Sequence, residues 1–277
     1  MSITAHIMGG CGNQLFQFAA AQAAALRLGT DVRLYITGYD DVVPDGHWKD
    51  WRVYSLGLFR GITAPTCRDY QGARICENGL PYNAALAAQI TDPCTLIGYF
   101  QTEKWFAETR PLLKSQILPK QDLVPYAHDI ARQIRAEGDK SAFITIRRTD
   151  YVTTDYHGLL PMEYYKNAAA LIAEKVSDPC FFVFSDEPAW VKSHFRLPYR
   201  TVVAGNYDRS VRPHLGREDS ELFLMSLCRH AIMANSSYSW WGAWLGTEEG
   251  IIIGPKKWFG TATEDPRDIM PDRWIKL

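Results

Sequence analysis

The run ITIRRTDY, Ile144 to Tyr151, sets two adjacent arginines directly after an apolar stretch. Guanidinium groups at the end of a buried strand suit an anion, because their planar fork of N–H donors matches phosphate or carboxylate oxygens in pairs. Strand side chains alternate faces, so Arg147 and Arg148 cannot both address one ligand. One is expected to reach a cleft and the other to pair with a carboxylate, Asp150 being the near candidate. The polar run that follows, TDYVTTDYHG, argues against two merely solvated arginines.

Two further segments are polar where a core would be apolar. In GGCGNQ, Gly9 to Gln14, glycines let the backbone approach a ligand, while Asn13 and Gln14 can donate side-chain hydrogen bonds at a helix start. Simple loop geometry explains the same letters. Gly12 is followed by Asn13 and Gln14, so the segment is neither a G-x-G-x-x-G fingerprint nor a Walker loop, which disfavours a nicotinamide enzyme or a P-loop kinase. In HAIMANSSYSWWGAWL a strand ends at Asn235, and Ser236 and Ser237 cap the next helix. Capping alone accounts for the serines, yet such a cap facing an arginine also makes a diphosphate cradle. Trp240, Trp241 and Trp244 read as helix packing rather than as a sugar platform.

The elements that must carry these residues alternate. The opening SITAHIMGGCGNQLFQFAAAQAAALRLG divides into a strand, a glycine turn and a long apolar helix ending at Gly29, and VRLYI supplies a second strand. Residues 38 to 95 show no interpretable pattern; LIGYF reads as a strand and TEKWFAETRPLLKSQI as a helix disturbed at Pro111. The helix YAHDIARQIRAEG stops at Gly138, where the domain boundary is placed, giving domains 1–138 and 139–277. From Ser141 strands and helices alternate regularly through GIIIGP, as in a doubly wound parallel sheet.

The bulk numbers agree with a folded globular protein of two modest domains: 277 residues, 47% apolar, 22% charged. Thirty basic against thirty-one acidic side chains leave a net charge of −1, so no overall field attracts nucleic acid or an anionic membrane. Six scattered cysteines, with no C-x-x-C pair, suit reduced thiols in the cytoplasm. No signal segment or membrane-spanning run is visible, although peripheral membrane contact is compatible with the composition.

Five motifs in order resemble the α-1,2-fucosyltransferases of glycosyltransferase family 11: GGCGNQLFQFA, GYFQTEKWF, IRRTDYV, GLLPMEYY and ELFLMSLCRHAIMANSSYSWWGAWL. The resemblance implies a GT-B fold, two Rossmann-like domains facing across a cleft, with the acceptor on the N-terminal side and the donor on the C-terminal side. It implies inverting transfer of L-fucose from GDP-β-L-fucose to the 2-hydroxyl of a galactoside, without cofactor or metal. No D-x-D triplet is present, Asp40 and Asp41 being adjacent instead. Arg147 would hold the β-phosphate, with Arg148 organising the loop; Gly12 and Asn13 would reach the donor from the other domain; Asn235, Ser236 and Ser237 would line its phosphates. In the related α-1,6-fucosyltransferases a carboxylate stands eight residues beyond the first arginine, here Asp155. It is the favoured base, with Asp150 and then His157 behind it. Family members usually carry histidine at the place of Thr145 and aspartate at that of Glu221, both at the nucleoside end of the donor. The alternatives are another GDP-sugar, such as colitose or L-galactose, and a carbohydrate-binding protein without catalysis. A lipid-linked galactoside acceptor would bring the protein to a membrane surface.

Overall fold

The computed structural model describes residues 1–39, 53–204, 218–261 and 263–277. They form two α/β units, Met1–Lys120 with Glu264–Pro271, and Gln121–Thr263 with Asp272–Leu277. Each is built on a sheet whose strands all run parallel.

The first unit opens with β1 (Ser2–His6), α1 (Cys11–Leu28) and β2 (Asp31–Tyr35). Gly9, at φ 77, and extended Gly10 turn the chain into α1, and left-handed Gly29, at φ 64, ends it. The helix is buried nearly all round, as its sequence requires. There follow β3 (Thr66–Cys67), β4 (Ala73–Cys76), α2 (Ala84–Ala87), β5 (Cys94–Ile97) and α3 (Arg110–Gln116). The strand read in LIGYF stops at Ile97, beyond which the N–H groups of Tyr99 and Phe100 go to the Glu77 carboxylate and Phe100 takes a left-handed φ of 52. The single helix expected over TEKWFAETRPLLKSQI is three pieces, the 3₁₀ turns Glu103–Trp105 and Ala107–Thr109 and then α3. Pro111 falls in the first turn of α3, where a missing N–H costs little.

The second unit contains α4 (Pro125–Glu137), β6 (Ser141–Ile146), α5 (Thr149–Thr153), α6 (Met162–Ala173), β7 (Cys180–Ser185), α7 (Pro188–His194) and β8 (Arg200–Val203). It continues with α8 (Glu218–Leu227), β9 (His230–Ile232), α9 (Ser237–Leu245), β10 (Ile252–Gly254) and β11 (Ile275–Lys276). β6 and β7 are buried along their whole length, the mark of central parallel strands. α4 belongs here rather than ahead of a boundary at Gly138: its stripe Ala127, Ile130, Ala131 and Ile134 is buried, and the helix packs on α8 and β6. Trp240, Trp241 and Trp244 are wholly buried, and Gly242 lets α9 approach Met225 of α8, which a Cβ would meet at 3.0 Å.

The strand orders are β3-β2-β1-β5-β4 and β11-β10-β9-β6-β7-β8. Two Rossmann-like units of this kind are the expected GT-B fold class. In the first sheet the order reverses between β1 and β5, in the second between β6 and β9. Ligands of open parallel sheets bind beyond the strand ends at such reversals. None of the six cysteines is in a disulfide. Among the described residues no helix is long and apolar enough to cross a membrane.

Candidate active site

β6 delivers Thr145, Arg147 and Arg148 to the second reversal. Its register with β7, Thr145 beside Phe184 and Ile146 beside Ser185, brings Asp186 and Glu187 alongside the arginines. Arg147 Nη2 donates to Asp150 Oδ1 at 2.6 Å, and Nη1 lies 3.2 Å from Asp186 Oδ2. Arg148 turns the other way, donating Nε to Glu187 Oε2 at 2.9 Å with its guanidinium 3.8 Å over the Trp190 ring. The two arginines therefore separate as alternation demands, but Asp150 serves Arg147 rather than its neighbour. The cause is α5: it starts at Thr149, so a residue three positions on turns back towards Arg147.

Asp186 is 5% exposed and fastens the whole turn, accepting the Arg148 N–H at 3.0 Å on Oδ1 and the Thr149 hydroxyl at 2.8 Å on Oδ2. Burial opposes charge on Arg147, but Asp186 and then Asp150 overcome it and raise its pKa, so the guanidinium stays protonated. Arg147 Nε is buried without a partner among the described residues.

A pocket opens beside this turn, lined among others by Thr145, Arg147, Phe184, Asp186, Glu221 and Ser239. Thr145 and Glu221, 76 positions apart in the chain (221 − 145), thus meet at one pocket. The Thr145 hydroxyl accepts the Ala234 N–H at 2.8 Å and keeps its own proton to donate. Ser239 Oγ is buried with no partner among the described residues.

α9 starts at the same reversal. Ser236 is its N-cap, with extended backbone (φ −134, ψ 130), but makes no side-chain capping bond; Ser237 is the first helical residue. Asn235, expected as a donor ligand, fastens the neighbouring loops through its Nδ2, while its Oδ1 is buried with no partner among the described residues. Its Nδ2 donates to the carbonyls of His157 at 2.7 Å, Gly158 at 3.2 Å and Trp258 at 3.0 Å. Its carbonyl accepts the Tyr151 hydroxyl at 2.8 Å, whose pKa burial pushes up to about 12.

The loop after α5 is anchored through its backbone. Thr261 N–H donates to Asp155 O at 3.0 Å and Gly260 N–H to Tyr156 O at 2.8 Å; a Cβ on Gly260 would come within 2.1 Å of Asp155 O. The Asp155 side chain is exposed and its carboxylate has no partner among the described residues. His157 is half-buried, its ring stacked on Tyr151 at 4.5 Å. Of the two carboxylates considered as base, Asp155 is uncommitted and Asp150 is engaged by Arg147.

In the first unit Gly12 is buried in the first turn of α1, and Asn13 Oδ1 accepts a hydrogen bond from Gln101 Nε2 at 2.7 Å. Gln14 is wholly buried and holds the loops together: Nε2 donates to Gly9 O at 2.9 Å and Val53 O at 2.8 Å, and Oε1 accepts the Ser55 N–H at 2.8 Å. The Asp40–Asp41 pair lies outside the described residues. Asp186, Ser239 and the Asn13–Gln101 contact were not singled out from the sequence. For Asp186 a signal existed, a carboxylate directly after a buried strand in FFVFSDE.

Two parallel-stranded units, with an arginine and a helix start at the second reversal, define the GT-B class of glycosyltransferases. The model of glycosyl transferase family 11 matches residues 95–277, and the chain belongs to that family. It is 26% identical to an alpha-1,2-colitosyltransferase of Escherichia coli, over 99% of this chain and 98% of that one. It is 27% identical to the O-antigen biosynthesis glycosyltransferase WbnK of Escherichia coli, over 98% and 99%. A variant of Arabidopsis thaliana FUT1 in complex with GDP shares the fold at TM-score 0.50 and 9% identity, covering 98% of this chain and 74% of that one.

Proposed function

We propose that the chain moves L-fucose from GDP-β-L-fucose to the 2-hydroxyl of a galactoside on a glycan or an O-antigen or capsule type of oligosaccharide, with inversion and without a resident metal. The observation that carries this reading is the single pocket holding Thr145, Glu221 and Arg147 at the β6–β9 reversal. A carboxylate can accept both N–H groups of a guanine edge, and the Thr145 hydroxyl can donate to a nucleoside oxygen. Arg147 and the first N–H groups of α9 then meet the diphosphate, whose charge grows as its bond to the sugar breaks. Asp150 already accepts from Arg147 Nη2, so the diphosphate competes with it. The Asp150 side chain is 23% exposed and can swing off; the Asp186 side chain, at 2%, stays.

Asp155 takes the proton of the acceptor hydroxyl as that oxygen attacks the anomeric carbon on the face opposite departing GDP. The acceptor belongs to the first unit, from which Gly12 and Asn13 also reach the donor. Membrane contact, where it occurs, comes through a lipid-linked acceptor. The relative named as a colitosyltransferase favours a second donor, GDP-colitose, whose sugar is fucose without its 3-hydroxyl.

Calorimetric titration with GDP, UDP and dTDP in the presence of a chelator is the test. GDP alone should bind. Absence of GDP binding would overturn the reading, whereas GDP binding with turnover of GDP-colitose and not of GDP-fucose would move the donor to the second sugar.

A further inference from the structure

Three neighbouring strands of the first unit, β1, β5 and β4, lead to groups of which the chemistry above uses only Asn13. Leaving β4, Glu77 lays its carboxylate on the chain that leaves β5: Oε2 accepts the N–H of Tyr99 at 2.7 Å and that of Phe100 at 2.9 Å. Its own N–H donates to Ile97 O at 2.8 Å, so backbone and side chain both fasten it to β5. Oε1 is buried without a partner among the described residues. Burial pushes the Glu77 carboxyl pKa up, and the two N–H groups work against that.

The turn so held is costly. Phe100 sits at φ 52, a region bulky side chains avoid unless the surroundings impose it. Gly98 is required for the close approach, since a Cβ there would come within 2.3 Å of Glu77 Cβ. The residue the turn delivers is Gln101, whose Nε2 donates to Asn13 Oδ1 at 2.7 Å across the β1–β5 reversal. That bond leaves Gln101 Oε1 to accept and Asn13 Nδ2 to donate, both without formal charge. Two vicinal hydroxyls of a pyranose present the complementary donor and acceptor. Tyr99, 37% exposed, adds an aromatic surface on the same turn.

We infer that Glu77 is a positioning residue for the acceptor sugar, fixing the Gly98–Gln101 turn so that Gln101, held against Asn13, presents a donor–acceptor pair to vicinal hydroxyls. The inference rests on the galactoside reading above. Steady-state kinetics with GDP-fucose and a β-galactosyl disaccharide, beside calorimetry with GDP, test it. Glu77→Ala should raise the acceptor KM about tenfold or more while the GDP Kd stays within about twofold, the amide bonds being lost at the acceptor side only. Glu77→Gln, whose amide oxygen still accepts N–H bonds, should return the acceptor KM to within about threefold of the unaltered protein. Gln101→Ala should reproduce the Glu77→Ala effect, and the double variant should be no worse than either, as for two residues acting through one contact.

An unchanged acceptor KM in Glu77→Ala, an equal loss of GDP affinity, or multiplicative effects in the double variant would overturn it. Should Glu77→Ala not fold, Gln101→Ala decides: an unchanged acceptor KM there overturns the inference as well. Failure of the unaltered protein to use any galactoside with either GDP-fucose or GDP-colitose, with GDP still bound, would instead remove the acceptor reading on which this stands.

Discussion

The two strand-order reversals are built alike and furnished differently. At β6–β9 the polar groups are ionic: Arg147 between Asp150 and Asp186, Arg148 against Glu187, and a helix start alongside. At β1–β5 the contact that bridges the reversal is neutral, Gln101 on Asn13, and the nearby Glu77 spends its carboxylate on backbone N–H groups. One topology can thus offer a charged ligand a charged clamp and a hydroxyl-rich ligand a set of amides. The difference lies in four or five side chains at strand ends, not in the sheets.

The largest test of that contrast is Arg147→Ala, which should cut kcat/KM by about 10³-fold, the scale of removing a donor aimed at developing charge. GDP titration should show the same residue governing donor binding, with acceptor KM little altered. Next comes Asp186→Asn. Breaking a buried ion pair costs about 3 kcal/mol or more, so the melting temperature should fall and kcat/KM should drop by about 10²-fold as Arg147 loses its buried counter-charge. Asp155→Asn should lower kcat by about tenfold and leave GDP affinity alone, the base contributing modestly when the leaving group departs early. If Arg147→Ala and Asp155→Asn both retained full rates, the assignment of the charged end would be sunk. The smallest effect is a gain: Asp150→Asn removes a competitor for Arg147 and should tighten GDP binding about threefold, on the scale of one partly exposed ion pair. A collapse of kcat in that variant would make Asp150 the base after all.

Much of the second unit was legible because parallel central strands are continuous apolar runs; SAFITI and CFFVFS announce themselves. The arginines were found for the same reason, standing where the apolar run stops. α5 was not foreseen, since Thr, Asp and Thr in TDYVT favour turns as readily as one helical turn, and its presence is what hands Asp150 to Arg147. In the first unit β3 and β4 have two and four residues, and their letters, TC and ARIC, carry no period. Nothing local connects Glu77 with Tyr99, or Asn13 with Gln101; only the strand order joins residues 22 and 88 positions apart. The fastening role of Asn235 was not legible, because an amide at a strand end suits a ligand and a staple equally, and the three carbonyls around its Nδ2 come from distant parts of the chain.

The path of the C-terminal chain has a practical consequence. Glu264–Pro271 returns to the first unit, where Asp268 accepts the Tyr82 N–H at 3.0 Å and pairs with Lys104 at 2.6 Å, before Ile275–Lys276 joins the second sheet as an edge strand. The backbone therefore passes from one unit to the other three times, at 120–121, 263–264 and 271–272. No single peptide cleavage can release either unit whole. Limited proteolysis between Lys120 and Gln121 should leave a nicked protein that still migrates as one species under native conditions, its halves tied by the returning tail.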